Sequence, residues 1–441
     1  MARSAAGAGR QAQVARLLLT VLVGGGACAS QGDPPGGPPR TTPPTVLRTV
    51  PESGSVAPDL RGDAVVQFDE VIDEMPSRGG APGTISGLAQ KVILSPVGSD
   101  VKVSWHRSSI HVSPREGWQR GRVYHLQLFP GIVDLRRNAT KTGTTLVFTT
   151  GPAVPATTLA GTVLLWVDQR TLPQAVIRAA PLPDTVAYVT LADSAGNFRL
   201  AAVPPGRYRV WAIQDENNNR RQDRREAFDT VTVTVDSTAN ALLWAFVHDT
   251  VGPRVRTVEP IDSVNFRVAF TAPLDPRRPL DTAKVRVLAL PDSTVVALRT
   301  LYTPPVFDSI QARARAVADS LKRLRDTTAR KDTTSRPGAR PPAAQRAPAV
   351  GRAPGAPSGT DTAAPKLDTA RVRKLLSERP VPYDRVVVQT AQPLAPGGKY
   401  LVRVRGARNL SGVAADGQGV LVVPVPKPVP ADTTKTRPKP P

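Results

Sequence analysis

The residue types and spacing that best suit chemistry occur in one polar run at 215–226. Oxygen-bearing side chains fall at positions 1, 3, 5, 9 and 12 of this run, as in a calcium loop of EF-hand type. These residues are Asp215, Asn217, Asn219, Asp223 and Glu226. Arg220 stands where such a loop needs glycine for its sharp turn, and four arginines lie within the run. A hairpin loop held by Asx turns would use the same Asp and Asn side chains, so both interpretations stay open.

The second chemically distinctive residue is Cys28, the only cysteine in the 441 residues. It follows three arginines, an apolar run at 17–23 and a stretch of small residues. This order is typical of a secretory signal, so we expect residues 1–27 to be a signal peptide. The apolar run is much shorter than the ~20 residues that cross a bilayer, and we expect no integral membrane span.

Gly26-Ala27-Cys28 resembles the lipobox that ends the signal of bacterial lipoproteins, with glycine in place of the usual leucine at position 25. The resemblance implies acyl chains on Cys28 that would anchor the exported protein to a membrane. Residues 28–44 are rich in Pro and Gly and are expected to form a tether. Ala29 is not the aspartate of the common inner-membrane retention signal, which favours the outer membrane or cell surface. The alternative is cleavage at the Ala-Cys-Ala site, which would discard the cysteine.

The net charge of +22 raises the question of a nucleic-acid partner, but the distribution of charge argues against a specific one. Residues 308–380 hold 16 Lys or Arg against 7 Asp or Glu, with 8 Pro and no aromatic residue. This composition neither folds into a core nor offers a stacking platform for bases. In an exported protein, a basic surface would attract anionic lipid head groups and envelope polymers without specificity. A GC-rich genome would give the same excess of Arg, Ala and Pro.

Short runs of β-branched and aromatic residues, separated by Pro and Gly, predict an all-β chain of several modules. Seven such runs in 45–151 predict one β-sandwich. The strand and turn at 65–73, the loop at 130–138 and the closing Phe-Thr-Thr-Gly at 148–151 resemble the bacterial Ig-like domain of the S-layer type. The resemblance implies an Ig-like sandwich that serves as a spacer or binding module, with no catalytic residue of the family to carry over.

A second module, at 157–248, carries a different signature. A D-x-x-G-x-F-x-L motif at 193–200 precedes a P-G-x-Y strand at 205–208. Gly196 and Gly206 suit turns that need a positive φ, and the alternating apolar residues around them give each strand one core face. The motifs resemble the carboxypeptidase-regulatory, transthyretin-like sandwich. The resemblance implies a second β-sandwich after the Ig-like one.

The third module repeats the first. Residues 255–260 echo 46–51, 266–275 match the strand and turn at 65–73, and 394–404 match the tyrosine-containing strand of the first module. The repeat predicts a second Ig-like sandwich built from 251–307 and 380–423, split by an insertion at 308–379. The fold expected is therefore all-β, with tandem β-sandwiches in the order Ig-like, transthyretin-like, Ig-like.

Apolar residues at spacings of three and four predict an amphipathic helix at 309–325, within the insertion. We expect this helix to pack on its own sandwich; the alternative is a helix for a membrane surface or a partner. The chain from 330 to 366 is expected to be disordered because it is polar and rich in Pro. Residues 424–441 form a second tail of this kind.

No residue pattern predicts catalysis. The four histidines, His106, His111, His125 and His248, form no H-E-x-x-H motif, and neither a G-x-S-x-G elbow nor a P-loop is present. We expect no enzyme and no required cofactor, and interpret the chain as a non-enzymatic envelope lipoprotein with a structural or binding role. Its expected partners are the membrane, through the anchor, and an envelope glycan or protein. The alternatives are a calcium- or glycan-binding adhesin and an accessory subunit of an envelope polysaccharide hydrolase.

Overall fold

The computed structural model describes residues 41–75, 85, 87–329 and 369–425. Within them the chain forms 23 strands and two α-helices, which confirms the predicted all-β class. The expected signal peptide, Cys28 and most of the tether and tail lie outside the described residues. Among the described residues, no helix has both the length and the apolar character to cross a bilayer.

The first module is a sandwich of two antiparallel sheets, with strand orders β1-β2-β5-β4 and β3-β6-β7. Its strands are β1 Val46–Val50, β2 Ala64–Phe68, β3 Val92–Ser95, β4 Val101–His106, β5 Ser109–Pro114, β6 Val123–Leu128 and β7 Thr144–Thr149. Phe68, Tyr124 and Phe148 lie buried between the sheets. Each of these rings buries a large apolar area and contributes strongly to the stability of the sandwich.

The second module is a single strongly folded sheet, in the order β11-β10-β13-β14-β15-β8-β12, with β9 paired to β8. Its strands are β8 Thr158–Leu165, β9 Arg170–Thr171, β10 Val176–Pro181, β11 Tyr188–Leu191, β12 Asn197–Ala201, β13 Gly206–Ile213, β14 Ala227–Val235 and β15 Thr238–Val247. β14 meets β15 at Ala227–Val247 and Phe228–Phe246, so the two halves of the sheet enclose one core. The expected positive φ occurs at Gly196 (77°) and Gly206 (148°).

The third module again has two sheets, β16-β17-β21-β20 and β19-β18-β22-β23. Its strands are β16 Val255–Pro260, β17 Asn265–Leu274, β18 Val285–Leu290, β19 Thr294–Val296, β20 Leu298–Tyr302, β21 Tyr383–Thr390, β22 Lys399–Arg408 and β23 Ala414–Val422. The helices α1 Pro304–Ala329 and α2 Thr369–Leu376 lie between β20 and β21 in sequence.

The repeat seen in the sequence extends to details of the backbone. β1 has a register shift between Val46 and Arg48, and β16 has one between Val255 and Thr257, at matching places in the repeat. The Tyr124 hydroxyl accepts a hydrogen bond from the backbone N–H five residues earlier, at 2.8 Å, and the Tyr400 hydroxyl does the same. The first and third modules therefore use the same bulge and the same tyrosine anchor.

The expectation that the helix in the insertion packs on its own sandwich is wrong. α1 is longer than expected, and it is held to the third module through Phe307, near its beginning. The apolar stripe farther along is exposed, with Val317, Leu321 and Leu324 showing 56–62% of their surface. The third module therefore covers the beginning of the helix and leaves the stripe exposed.

A second difference concerns the far end of the insertion, at 369–376, where no helix was predicted. These residues form α2, and Leu375 and Leu376 pack against a cluster of buried tryptophans between the second and third modules. The aromatic cluster supplies an apolar surface that is not visible in the local composition. This contact orders a segment that is too polar to fold on its own.

Because the α1 stripe is exposed, Leu321→Ser should leave stability nearly unchanged, within about 0.5 kcal/mol. Phe307→Leu should lower the free energy of unfolding by about 1 kcal/mol, because the ring is buried at the base of the helix. Urea unfolding of both variants checks this. A marked loss for Leu321→Ser would mean that the stripe is covered in solution.

Candidate functional site

The candidate calcium residues lie in the loop that joins β13 to β14. The Asp215 carboxylate accepts hydrogen bonds from the backbone N–H groups of Asn219, at 3.1 Å, and Arg220, at 2.8 Å. The side-chain amides of Asn217 and Asn219 both donate to Asp223 Oδ2, at 2.6 and 3.0 Å. The loop is thus closed by the side chains of its own Asp and Asn residues, as an Asx-turn loop requires.

Glu226 closes the other end of the loop. It is 4% exposed, and its two carboxylate oxygens accept from the backbone N–H groups of Glu216 and Asp223, at 3.1 and 3.0 Å. The structure therefore brings all five predicted residues into one hydrogen-bonded loop. In the described part of the chain, no group of three His, Cys, Asp or Glu side chains is arranged to hold a metal ion. Calcium binding, which would also need the asparagine oxygens, stays a prediction.

Arg220 has a role that sequence reasoning missed. Its backbone takes a positive φ of 55°, so the sharp turn forms without glycine. Its guanidinium leaves the loop and donates to two carbonyls of the first module, Val92 O at 2.7 Å and Gln90 O at 2.6 Å. Burial lowers the pKa of Arg220 to about 10, and the Asp215 carboxylate opposes this shift. The loop therefore attaches the second module to the first.

A second contact strengthens the same junction. The backbone N–H of Ile85, in the first module, donates to the carbonyl of Asn218 in the loop at 2.9 Å. Asn218 also has a positive φ, of 58°, and this turns its carbonyl outward. The arginine and the asparagine carbonyl together hold the loop against the segment that leads into β3.

Away from the loop, the outer face of β6 meets the edge strand β11. The alternation of β6 predicts one buried and one exposed face, yet all six residues of β6 are buried. Gln127 donates to Val189 O at 3.0 Å and accepts from the Thr190 hydroxyl at 2.7 Å. Ser95 Oγ accepts from Val189 N–H at 3.0 Å. Gln127 lies on the face that alternation would expose, so its burial marks a joint between modules.

His125 occupies the centre of this joint. The ring is 1% exposed, lies 5.0 Å from the Tyr188 ring and places Nε2 3.4 Å from the Ala202 carbonyl. Burial lowers its pKa to about 4, and the hydrogen bond to Ala202 opposes this shift only in part. His125 is therefore neutral at physiological pH and sensitive to acid.

The second and third modules meet at a pair of buried tryptophans. Trp166 and Trp244 are each 1% exposed, and the Trp166 indole N–H donates to Pro380 O at 3.0 Å. The Arg379 guanidinium lies 5.5 Å from the Trp166 ring and 5.1 Å from the Trp244 ring. Burial is the main cause of a lowered pKa for Arg379, and the charge of Arg277 adds to it. The cation–π contacts compensate the arginine for lost hydration.

The remaining histidines form no catalytic arrangement in the described part of the chain. The rings of His106 and His111 lie 4.2 Å apart at the surface of the first module, and His111 Nδ1 lies 3.8 Å from Asp63. Burial and the neighbouring His106 lower the pKa of His111. His248 stacks on Phe228 and Phe246. Each of the three is accounted for by local packing.

Comparison with known proteins supports the first module directly. Residues 40–150 match the family model of the bacterial Ig-like domain, which confirms that part of the predicted resemblance. No curated protein matches the sequence.

Several solved structures are similar to this chain at a low level. The N-terminal part of the bacterial S-layer protein SbsC is 13% identical, with 40% of this chain and 25% of that chain covered and a TM-score of 0.20. BcpA, the major pilin subunit of Bacillus cereus, is 9% identical over 46% and 70% of the two chains, with a TM-score of 0.18. A structure of native alpha-2-macroglobulin from Escherichia coli that spans domains MG0-NIE-MG1 is 11% identical over 58% of this chain and 86% of that chain, also with a TM-score of 0.18.

TM-scores of this size do not establish a shared overall arrangement, so they carry no conclusion about function. The family match and the strand topology are the observations that describe the first module. Residues 40–150 therefore match the bacterial Ig-like domain, and the described residues form an all-β chain of tandem sandwiches.

Proposed function

We propose that this chain is an exported, non-enzymatic protein of the bacterial cell envelope with a structural or binding role. The supporting observation is the joining of three sandwiches through two interfaces that contain buried or half-buried charged and polar side chains. Arg220, His125 and Gln127 serve the first interface and Arg379 the second. These side chains, which could otherwise act in catalysis or ligand binding, instead hold neighbouring modules together. The Ig-like domain at 40–150 agrees with such a role.

The proposed attachment is a lipid anchor on Cys28, followed by the Pro- and Gly-rich tether. Intact mass and N-terminal peptide analysis of the protein from its native membrane fraction test this. A triacylated peptide that begins at Cys28 is expected. An unmodified peptide that begins at Ser30 would overturn the anchored protein and leave a soluble exported one.

The middle module is proposed to be transthyretin-like, of the carboxypeptidase-regulatory type, on the motifs at 193–200 and 205–208. In the structure the Asp193 carboxylate accepts from the backbone N–H groups of Ala195 and Asn197, each at 2.8 Å, around Gly196. The Tyr208 hydroxyl donates to Pro204 O at 2.6 Å. These bonds give the two motifs structural roles, which agrees with a module that carries no catalytic group.

A rival function is a calcium-dependent adhesin that uses the loop at 215–226. The observation in its favour is the positive φ of Arg220, since the backbone turn of a calcium loop is present despite the arginine. Titration of the full chain with CaCl₂ by calorimetry tests it, with Asp215→Asn as the loop variant and Asp262→Asn as a control far from the loop. Heat of binding that is lost in the first variant alone would establish the site.

A polysaccharide hydrolase or its accessory subunit is the rival from the enzyme class. Depletion of an insoluble envelope polysaccharide, with analysis of the products, separates it from a binding protein. Depletion without new reducing ends is expected. New reducing ends that form in proportion to this protein would overturn the non-enzymatic role.

A further inference from the structure

A basic groove of about 590 Å³ lies on the outer face of the middle module. Its floor is formed by side chains of β10 and β13 that point away from the core, and one wall is the loop at 182–187. The opposite wall is the end of the 215–226 loop, through Arg221 and Gln222. Three of its lining residues are arginines: Arg178, Arg209 and Arg221.

Strand register places the groove residues side by side. Arg178 of β10 pairs with Trp211 of β13, and Arg209 lies two residues before Trp211 on the same strand. The Arg209 guanidinium lies 5.8 Å from the centre of the Trp211 ring. Ile177, Ala179, Val210 and Ala212 alternate with these residues and point into the core. Because side chains alternate along a pleated strand, the two arginines and the indole lie together on the outward surface.

The charges in this groove are not balanced by the protein. No hydrogen-bond acceptor for the guanidinium of Arg178 or Arg221 is found among the described residues, and burial and the charge of Arg221 both lower the pKa of Arg178. Asp184 is the one carboxylate among the described lining residues. Its Oδ1 accepts from the N–H groups of Thr185 and Val186, and its Oδ2 lies 3.9 Å from Arg122 outside the groove. Two arginines that face each other without a counter-ion suit an anion with several oxygens.

We propose that this groove binds an anionic saccharide, with Arg178 and Arg221 on its acidic groups and Trp211 against a sugar ring. A guanidinium presents paired N–H donors that match a carboxylate or phosphate, and an indole offers a flat apolar surface with a polar edge. A single-stranded nucleic acid would need successive aromatic residues for successive bases, and Trp211 is the one aromatic residue among the described lining residues. An acidic peptide would be recognised by the arginines alone and would not require the flat surface of the indole.

This inference rests on the proposed envelope role, since it names the class of polymer that such a module would meet. Its chemistry, however, can be tested without reference to location. Calorimetry with hexagalacturonate as the probe, and with its fully methyl-esterified form as the matched neutral probe, separates charge recognition from sugar recognition. An oligomer of glycerol phosphate then distinguishes phosphate from carboxylate as the acidic group.

We expect binding of hexagalacturonate by the full chain and little binding of its methyl ester. Arg178→Gln and Arg221→Gln should each weaken binding about tenfold or more, as expected for loss of a charge-assisted hydrogen bond. Trp211→Ala should weaken it as well. Arg221 is exposed, so its replacement leaves the fold intact even if the half-buried Arg178 does not tolerate change.

Arg199→Gln is the matched control, since Arg199 is an exposed strand arginine outside the groove, and it should bind like the unmodified chain. Equal affinity in Arg221→Gln and the unmodified chain would overturn the proposal. Binding of polyglutamate that is as tight as that of hexagalacturonate and insensitive to Trp211→Ala would assign the groove to acidic peptides instead. Neither result bears on the lipid anchor, which the N-terminal mass tests separately.

Discussion

Arg220→Gly should uncouple the first and second modules. Glycine keeps the positive φ of this position at no steric cost, so the substitution removes the guanidinium without straining the loop. Two charge-assisted hydrogen bonds, to Val92 O and Gln90 O, are then lost. We expect a loss of about 2 to 4 kcal/mol in the coupling between the modules. Hydrogen–deuterium exchange at Ile85 and Val189 should increase, because their backbone N–H groups donate across the junction, to Asn218 O and Ser95 Oγ.

Calorimetric unfolding provides the second measurement for this variant. The unmodified chain should show a joint transition for the first two modules, and Arg220→Gly should split it. Arg225→Ala is the matched control, since Arg225 lies in the same loop but is exposed. Unchanged exchange at Ile85 and Val189 in Arg220→Gly would contradict a role of Arg220 in joining the modules. The same would follow if Arg225→Ala and Arg220→Gly behaved alike.

The architecture could be predicted from sequence because each module is built from short, local patterns. Alternation of apolar residues gave the strands, glycines marked the tight turns, and the repeat of 46–51 at 255–260 indicated a second Ig-like sandwich. The structure has matching strands with the same bulge at both places. The strand and turn patterns depend on neighbours within a few residues, and the repeat is found by comparing the sequence with itself, so a single sequence is enough to show them.

The interfaces could not be predicted in this way, because they depend on residues far apart in sequence. Arg220 counts against a calcium loop when only the loop is considered, yet its partners lie about 130 residues away in the chain. For the helix at 304–329 the sequence predicts a contact that the described part of the structure does not contain. Its amphipathic pattern predicts a packed face, but the apolar stripe is exposed in the structure.

The groove on the middle module escaped prediction for the same reason. Arg178 and Trp211 lie on different strands, and only the register of β10 with β13 makes them neighbours. Because the chain contains many arginines, its sequence does not indicate which of them lie together in a groove. The polar residues of β6 gave no signal either, since His125 and Gln127 lie on the face that alternation assigns to solvent, and only the structure shows that this face is buried.

His125 should make the stability of this chain depend on pH. Its pKa is about 4 in the folded protein and 6.5 when exposed to water. Between these values the unfolded or undocked chain binds more protons than the docked one, so stability is lost as pH falls below 6.5. From pH 8 to pH 5 the contribution of this group should fall by about 2 kcal/mol.

His125→Gln removes the titrating group and keeps a polar side chain that can donate to the Ala202 carbonyl. Carboxylates elsewhere also respond to acid, so the informative quantity is the difference in pH dependence between the variant and the unmodified chain. Urea unfolding at pH 8 and pH 5 measures it, and His106→Gln, at an exposed position, should retain the full pH dependence. If His125→Gln loses as much stability on acidification as the unmodified chain, the buried imidazole is not the acid-sensitive group. If the difference appears, mild acid loosens the same junction that Arg220 fastens, because both side chains join the first module to the second.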